Sequence, residues 1–434
     1  MLEIIDGRDQ LAPVHIPRPR PVGGRDEPST VVARVVEDVR SRGDAALIDY
    51  SRRFDGVDLT PERLQVDEAA ISQARNLVRP ELLAALEVMA ERLRATCERQ
   101  VTGEWLDQRP DEQVGELIRP LRRVAAYVPG GRAVYPSSVV MAAVPAAVAG
   151  VEGLVVASPP APNGEVAETV LAACAVSGVR EVYRIGGAQA IAALAYGTET
   201  VRPVDKIVGP GNIFVTLAKR MVRGWTGIDT EAGPTEILIV AGETADPHVI
   251  AHDLIAQAEH GPNGSHVLVT WVPELAERVL EVLEMHIARH ERAEDVENAL
   301  IEGGRAVLVR DVGHALDTAN AFAPEHLQLD FEGDHAALGD VHNAGSVFVG
   351  PYSPVAIGDY VGGTNHVLPT GGAARWSSGL GVNDFLKRIY VSSYDKTALA
   401  RLAPHVDALA RAEGLPGHAR SVHARLDEIG PYLP

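Results

Sequence analysis

Thiols are scarce in this chain of 434 residues, with only Cys97 and Cys174, far apart and in no CxxC pair. That leaves no disulfide framework, and a cytosolic reading makes both reduced thiols. Cys174 lies in an alanine-rich apolar run and reads as buried and inert. The N-terminus Met1-Leu-Glu-Ile-Ile-Asp lacks the basic start and apolar run of a secretory signal. Long apolar stretches are also missing. The longest, 139–156, is interrupted by Pro145 and Glu152 and reads as a buried helix followed by a strand. No lysine or arginine stripe breaks an acidic balance of −19, which argues against nucleic acid and anionic membranes as partners. A dinucleotide is still compatible, because helix N-termini and loop amides hold phosphates without a basic field. Together these absences lead to the expectation of a soluble cytoplasmic protein.

What is present is ordinary globular composition, 46% hydrophobic and 23% charged, at a length that implies two or more lobes. Residues 15–29 are rich in proline, glycine and arginine and read as an extended arm. Amphipathic helices are expected around 31–54 and 80–97, followed by a polar, irregular stretch at 99–116. From Arg122 onward, short β-rich runs at 154–157, 182–185, 206–208, 237–240, 267–270, 306–309 and 346–349 alternate with alanine-rich helical windows. That alternation predicts βαβ units. The expected fold is α/β: two Rossmann-like lobes with mainly parallel sheets, an N-terminal helical arm and a C-terminal helical tail. The boundaries are set at 1–119, 120–234, 235–383 and 384–434. The tail, with helices at 395–412 and 417–430, is too small for a core of its own and needs the lobes or a second subunit to pack on.

The chemistry concentrates in a few polar segments. Residues 256–260 (AQAEH) place Gln257 and His260 three apart in an expected helix, facing one way. Asp359 and His418 add a carboxylate and a second imidazole. Such an oxygen-rich, thiolate-free set suits zinc, manganese or cobalt. Each of these side chains also reads as an ordinary hydrogen-bonding group, as do His248, His286, His290, His314 and His405 on charged helical stretches. Glu325-His326 supplies a carboxylate beside an imidazole, a pairing suited to general base work. Residues 358–366 (GDYVGGTNH) carry Asp359 and His366 on a loop that Gly362-Gly363 can bend. Glycine clusters at 127–131, 186–189 and 209–212 resemble phosphate-binding turns, although none matches GxGxxG. Thr235 offers a hydroxyl at the junction of the two lobes.

The motifs YVPGG, GGAQAIAALAYG, GPGN, TEAGPTE, QAEH, PEHL, GDYVGGTNHVLPT and AEGLPGHARSV, with RFDG at 53–56, run the length of the chain. In combination they resemble the histidinol dehydrogenase family. That resemblance implies NAD-dependent, four-electron oxidation of L-histidinol to L-histidine through bound L-histidinaldehyde, the final steps of histidine biosynthesis. It implies zinc, or manganese, held by Gln257, His260, Asp359 and His418, with Glu325 and His326 as proton acceptors. Thr235, Gln257, His260, His326, Asp359, His366, Glu413 and His418 would surround the substrate. Tyr127, Gln189 and Asn212 would contact NAD. The family is a homodimer whose tail reaches into the partner's site. Two departures stand out: Thr235 where many members carry serine, and Pro416-Gly417 before His418.

Two other readings compete. A paralogous NAD-dependent dehydrogenase of another polar alcohol, such as a sulfonated diol, would need cations for the sulfonate, whereas Glu413 suits a cationic substrate. A metal-dependent hydrolase would leave Tyr127, Gln189 and Asn212 without a role.

Overall fold

The computed structural model describes residues 2–19, 26–130, 134–231 and 233–426. The middle of the proline-rich arm, Gly131 and the end of the final helix expected at 417–430 lie outside the described residues. In chain order the strands begin with β1 (Glu3–Asp6), β2 (Trp105–Gln108), β3 (Glu112–Pro120) and β4 (Arg123–Tyr127). Next come β5 (Gly153–Ser158), β6 (Glu181–Arg184), β7 (Lys206–Val208), β8 (Gly227–Ile228) and β9 (Glu236–Ala241). The last are β10 (Ser265–Thr270), β11 (Gly304–Leu308), β12 (His326–Asp330), β13 (Ser346–Val349) and β14 (Leu386–Tyr394).

Two sheets are wholly parallel. One runs β6-β5-β4-β7-β8 and the other β1-β11-β10-β9-β12-β13. Apart from the added edge strand β1, both follow the same doubly wound order, third-second-first-fourth-fifth within each lobe. The order reverses between β4 and β7 in the first lobe and between β9 and β12 in the second. Crevices at such reversals are where open α/β sheets bind ligands. The mainly parallel α/β architecture expected from the sequence is the observed one.

Parallel strands with helices on both sides must be apolar on both faces, and β9 is. Ile237 and Ile239 enter a core with Leu254 and Val279, while Leu238 and Val240 enter another with Leu316, Phe322 and Leu329. In the first lobe, Tyr183, Ile191, Leu194 and Ile207 pack with Val32, Val35 and Leu47. The N-terminal helices Asp26–Arg42 and Asp44–Tyr50 thus contribute to that lobe's core.

Several local readings change. Residues 99–116, expected to be irregular, contain β2 and most of β3, and the chain after Asp384 opens with β14 before its helices. β14, β3 and β2 form an antiparallel sheet; β2 and β14 are too exposed, and β3 too evenly half-buried, to show a buried face in the sequence. By contacts the chain divides into two compact units, Met1–Gln100 with Leu121–Phe385, and Val101–Pro120 with Leu386–Pro434. The segment 2–19 is pinned to the second lobe, where Val14 and Ile16 are buried and the Val14 N–H reaches Thr318. His314 is buried as well, its Nε2 2.9 Å from the Ala12 carbonyl. The helix Pro247–Ala258, started by the Asp246 carboxylate accepting from the His248 N–H, stops two residues short of His260. Gly261 at φ +115° and Pro262 end it. His260 thus stands on a turn, its N–H reaching the Gln257 carbonyl at 3.3 Å. Among the described residues no helix is long and apolar enough to cross a membrane.

Candidate active site

The amino ends of β9 and β12 lie side by side, with His326 in register with Ile237. This brings Thr235, Glu236, Glu325 and His326 into one hydrogen-bonded group. Glu325, 7% exposed, accepts at Oε2 from the Thr235 hydroxyl at 2.6 Å and from the Glu236 N–H at 2.8 Å. The Gln257 amide, buried at the end of its helix, donates to the same Thr235 oxygen. Burial raises the Glu325 pKa, against the pull of His326, the Thr235 hydroxyl and the Glu236 N–H. A carboxylate displaced upward in this way is a stronger base for a water proton.

His326 has its tautomer set by the backbone. Nδ1 stands 2.9 Å from the Glu236 carbonyl, which can only accept, so Nδ1 carries the proton and Nε2 the lone pair. That Nε2 is buried and finds no hydrogen-bond partner in the protein. Asp359 Oδ1 is 3.9 Å from it, and Glu325 Oε2 is 3.6 Å from Nδ1 on the other side of the ring. Buried polar atoms are almost always paired, so the orphaned nitrogen marks where a substrate proton belongs.

Asp359 closes the short helix Val355–Asp359, and its carbonyl accepts from His366 Nδ1 at 2.8 Å. His366 Nε2 is left as acceptor for the Ser138 hydroxyl at 3.4 Å, and burial holds this ring's pKa down. His260 has exposed surface, yet the protein crowded around its ring lowers its pKa, with Asp359 opposing the shift and His326 adding to it. A neutral imidazole, a carboxylate and the Gln257 carbonyl oxygen are suitable donors for zinc or manganese. Among the described residues, no three His, Cys, Asp or Glu side chains form a complete metal-binding group. Glu413 and His418 belong to the other compact unit. Glu413 caps the helix Lys396–Ala412, His418 lies in Pro416–His423, and both are exposed.

At the carboxyl edge of the first sheet, a cavity of about 730 Å³ is lined by Tyr127, Gln189 and Asn212 among others. Tyr127 is buried, and its hydroxyl accepts the Gly187 N–H at 3.0 Å. Burial pushes its pKa up to about 12, so the phenol keeps its proton for a ligand. Asn212 caps the helix Ile213–Val222, its Oδ1 accepting from Phe214 and Val215. The turn between β7 and this helix needs glycine. Gly209 has φ +106°, and a Cβ there would sit 2.3 Å from the Tyr127 carbonyl oxygen. Lys219, 2% exposed, and Asp229 clamp the turn: Lys219 donates to the Gly209 carbonyl at 3.0 Å, and Asp229 accepts the Gly209 N–H at 2.7 Å.

Sequence reasoning missed Glu236 and Ser138. Glu236 serves three partners at once: its N–H holds Glu325, its carbonyl fixes His326, and its buried carboxylate meets Arg18 at 2.5 Å. Arg18 is 218 positions away. Only the run of PEHL against GPTE carried any signal of the first two roles, and none carried the third.

Comparison with known proteins agrees with the arrangement. A family model described as histidinol dehydrogenase matches residues 19–426. A histidinol dehydrogenase of Methanothermobacter thermautotrophicus is 47% identical over 91% of this chain and 92% of its own. One of Bifidobacterium longum is 45% identical over 98% and 93%. The crystal structure of histidinol dehydrogenase from Elizabethkingia anophelis superposes with a TM-score of 0.89 at 33% identity, covering 94% of each chain. A chain matched along almost its whole length in sequence and fold, with a buried base of fixed tautomer at its centre, belongs to the histidinol dehydrogenase family of oxidoreductases.

Proposed function

We propose that this protein oxidises L-histidinol to L-histidine in two successive NAD-dependent steps through bound L-histidinaldehyde, at the end of histidine biosynthesis. In this reading it works in the cytoplasm as a zinc-dependent homodimer, with manganese as the alternative metal. Gln257, His260 and Asp359 would hold the metal together with His418 from the partner's tail, and Glu413 from the same tail would read the cationic substrate. When bound, NAD would supply a hydride acceptor, a fresh molecule for each step, and the metal would supply a cationic anchor for the substrate. Tyr127, Gln189 and Asn212 contact NAD; Thr235, Gln257, His260, His326, Asp359, His366, Glu413 and His418 surround histidinol.

The observation that carries the reading is the orphaned Nε2 of His326. It takes the hydroxyl proton as hydride leaves the carbinol carbon, and the Glu236 carbonyl steadies the imidazolium that results. Glu325, with Oε2 engaged by Thr235 and Glu236, offers Oε1 to a water that adds to the aldehyde. Loss of the second hydride from that hydrate to a fresh nicotinamide, with His326 again taking the hydroxyl proton after releasing the first to solvent, gives the carboxylic acid, which ionises to the carboxylate. Cys97 and Cys174 are buried with raised pKa, so no thiolate is on hand for a thiohemiacetal.

The test is the number of NADH formed per L-histidinol, with metal stripped and then restored by zinc or manganese. Two NADH, lost on stripping and recovered with metal, is the expected result. Tight NAD binding without histidinol turnover would instead favour oxidation of a different polar alcohol.

A further inference from the structure

One wall of the cavity beside Tyr127 takes no part in the chemistry above. It is built by the π-helical turn Ser51–Asp55, which ends at Gly56 with φ +68°, and isolated π turns are frequent at functional sites. Phe54 stacks on Tyr50 with ring centroids 5.4 Å apart, yet is 49% exposed. With Val31 and Phe214, also lining the cavity and partly exposed, it makes an apolar slot.

Asp55 is the one carboxylate among the described residues lining this cavity. Its Oδ2 is buried and has no hydrogen-bond partner. Burial raises its pKa to about 6, so above pH 7 it is an acceptor lacking a donor. A buried acceptor without a donor is destabilising unless a ligand supplies one. An apolar slot for a flat ring, with a lone carboxylate beside it, has the chemistry of a purine nucleoside site. Vicinal ribose hydroxyls are donors that such a carboxylate can use, whereas a phosphate in their place would be repelled.

We propose that Asp55 reads the adenosine ribose of the dinucleotide, accepting a hydrogen bond from its 2′-hydroxyl and turning away a 2′-phosphate. This rests on the NAD reading above and makes Asp55 a specificity-determining residue.

The experiment compares NAD, 2′-deoxy-NAD and NADP in the metal-loaded full-length enzyme and in Asp55→Asn, by binding and by kcat/KM. A hydrogen bond to a charged acceptor predicts that the unmutated enzyme prefers NAD over 2′-deoxy-NAD about tenfold or more. Asp55→Asn should shrink that preference to about twofold and raise NADP use relative to NAD about tenfold. The KM for histidinol should be unmoved. A purely structural Asp55 would instead weaken all three dinucleotides together, and that result overturns the proposal. Should the variant fail to fold, indifference of the unmutated enzyme to the 2′-hydroxyl overturns it equally. Absence of any NAD binding by the unmutated enzyme would remove the NAD reading itself. NAD binding with unchanged discrimination removes only the role of Asp55.

Discussion

Thr235→Val isolates the hydroxyl that ties Gln257 to Glu325. Valine matches threonine in shape, so no cavity opens and the change is confined to hydrogen bonding. Glu325 loses its donor at 2.6 Å and keeps only the Glu236 N–H at 2.8 Å, while the Gln257 amide loses its acceptor. A bond to a buried carboxylate contributes about 1.5–3 kcal/mol and a neutral one about 1 kcal/mol, so the native state should lose roughly 3 kcal/mol. The same bond holds the Glu325 pKa down against burial. Without that bond burial is opposed less, so the Glu325 pKa rises further. The acid limb of aldehyde oxidation should therefore move upward in pH, read from the pH profile of kcat/KM with L-histidinaldehyde as substrate. Thr235→Ser keeps both bonds, loses one methyl, and should stay within about 1 kcal/mol with an unmoved limb. A valine variant with unchanged stability and an unchanged limb would refute the network.

Gly209→Ala forces a β-carbon against the Tyr127 carbonyl at a left-handed φ. A loss of about 3 kcal/mol or more and weakened NAD binding are expected, measured by thermal unfolding and by titration. Glu181 is half-buried, which alone would raise its pKa, but hydrogen bonds from Arg123 and Tyr183 outweigh this and hold it at about 2. Its folded pKa is depressed, so its stabilisation is complete above about pH 4.5 and is lost as pH falls towards 2. Glu181→Gln should remove roughly 3 kcal/mol of acid sensitivity across that window, seen as a flatter stability curve in urea titrations. Cys97, its pKa raised to about 11 by burial, and the fully buried Cys174 should both resist a thiol reagent at pH 8. Two thiols should react only after denaturation; rapid labelling of either in the native protein would contradict this packing.

The parallel lobes were legible because their strands are apolar on both faces and short, and alanine-rich helices separate them. Strands such as β9 announce themselves as uninterrupted aliphatic runs. β2, β3 and β14 did not, since strands that are exposed or evenly half-buried carry no alternating pattern; Tyr390 is 81% exposed within β14, and β3 is half-buried along its length. At the site, the side chains with distinctive chemistry could be picked out, but the backbone contributions could not. The Glu236 carbonyl that sets the His326 tautomer would be the same carbonyl in any residue type. Its ion pair with Arg18 joins segments 218 positions apart, with nothing local to signal it. His260 was placed on the helix with Gln257 because the 3.6-residue period favoured it, whereas Gly261 and Pro262 end the helix first.

The antiparallel sheet has a consequence for how the chain is made. β3 leaves the ribosome early, and its long partner β14 is synthesised only after both parallel lobes; Arg388 and Glu116, paired across the two strands, are 272 positions apart. At 5–20 residues per second, that interval is on the order of 15–50 s. Throughout it, one edge of β3 is an open template for pairing with another nascent chain. Glu112, Glu116 and Arg119 spread charge along β3, and charged side chains on an open strand disfavour such pairing until its own partner arrives.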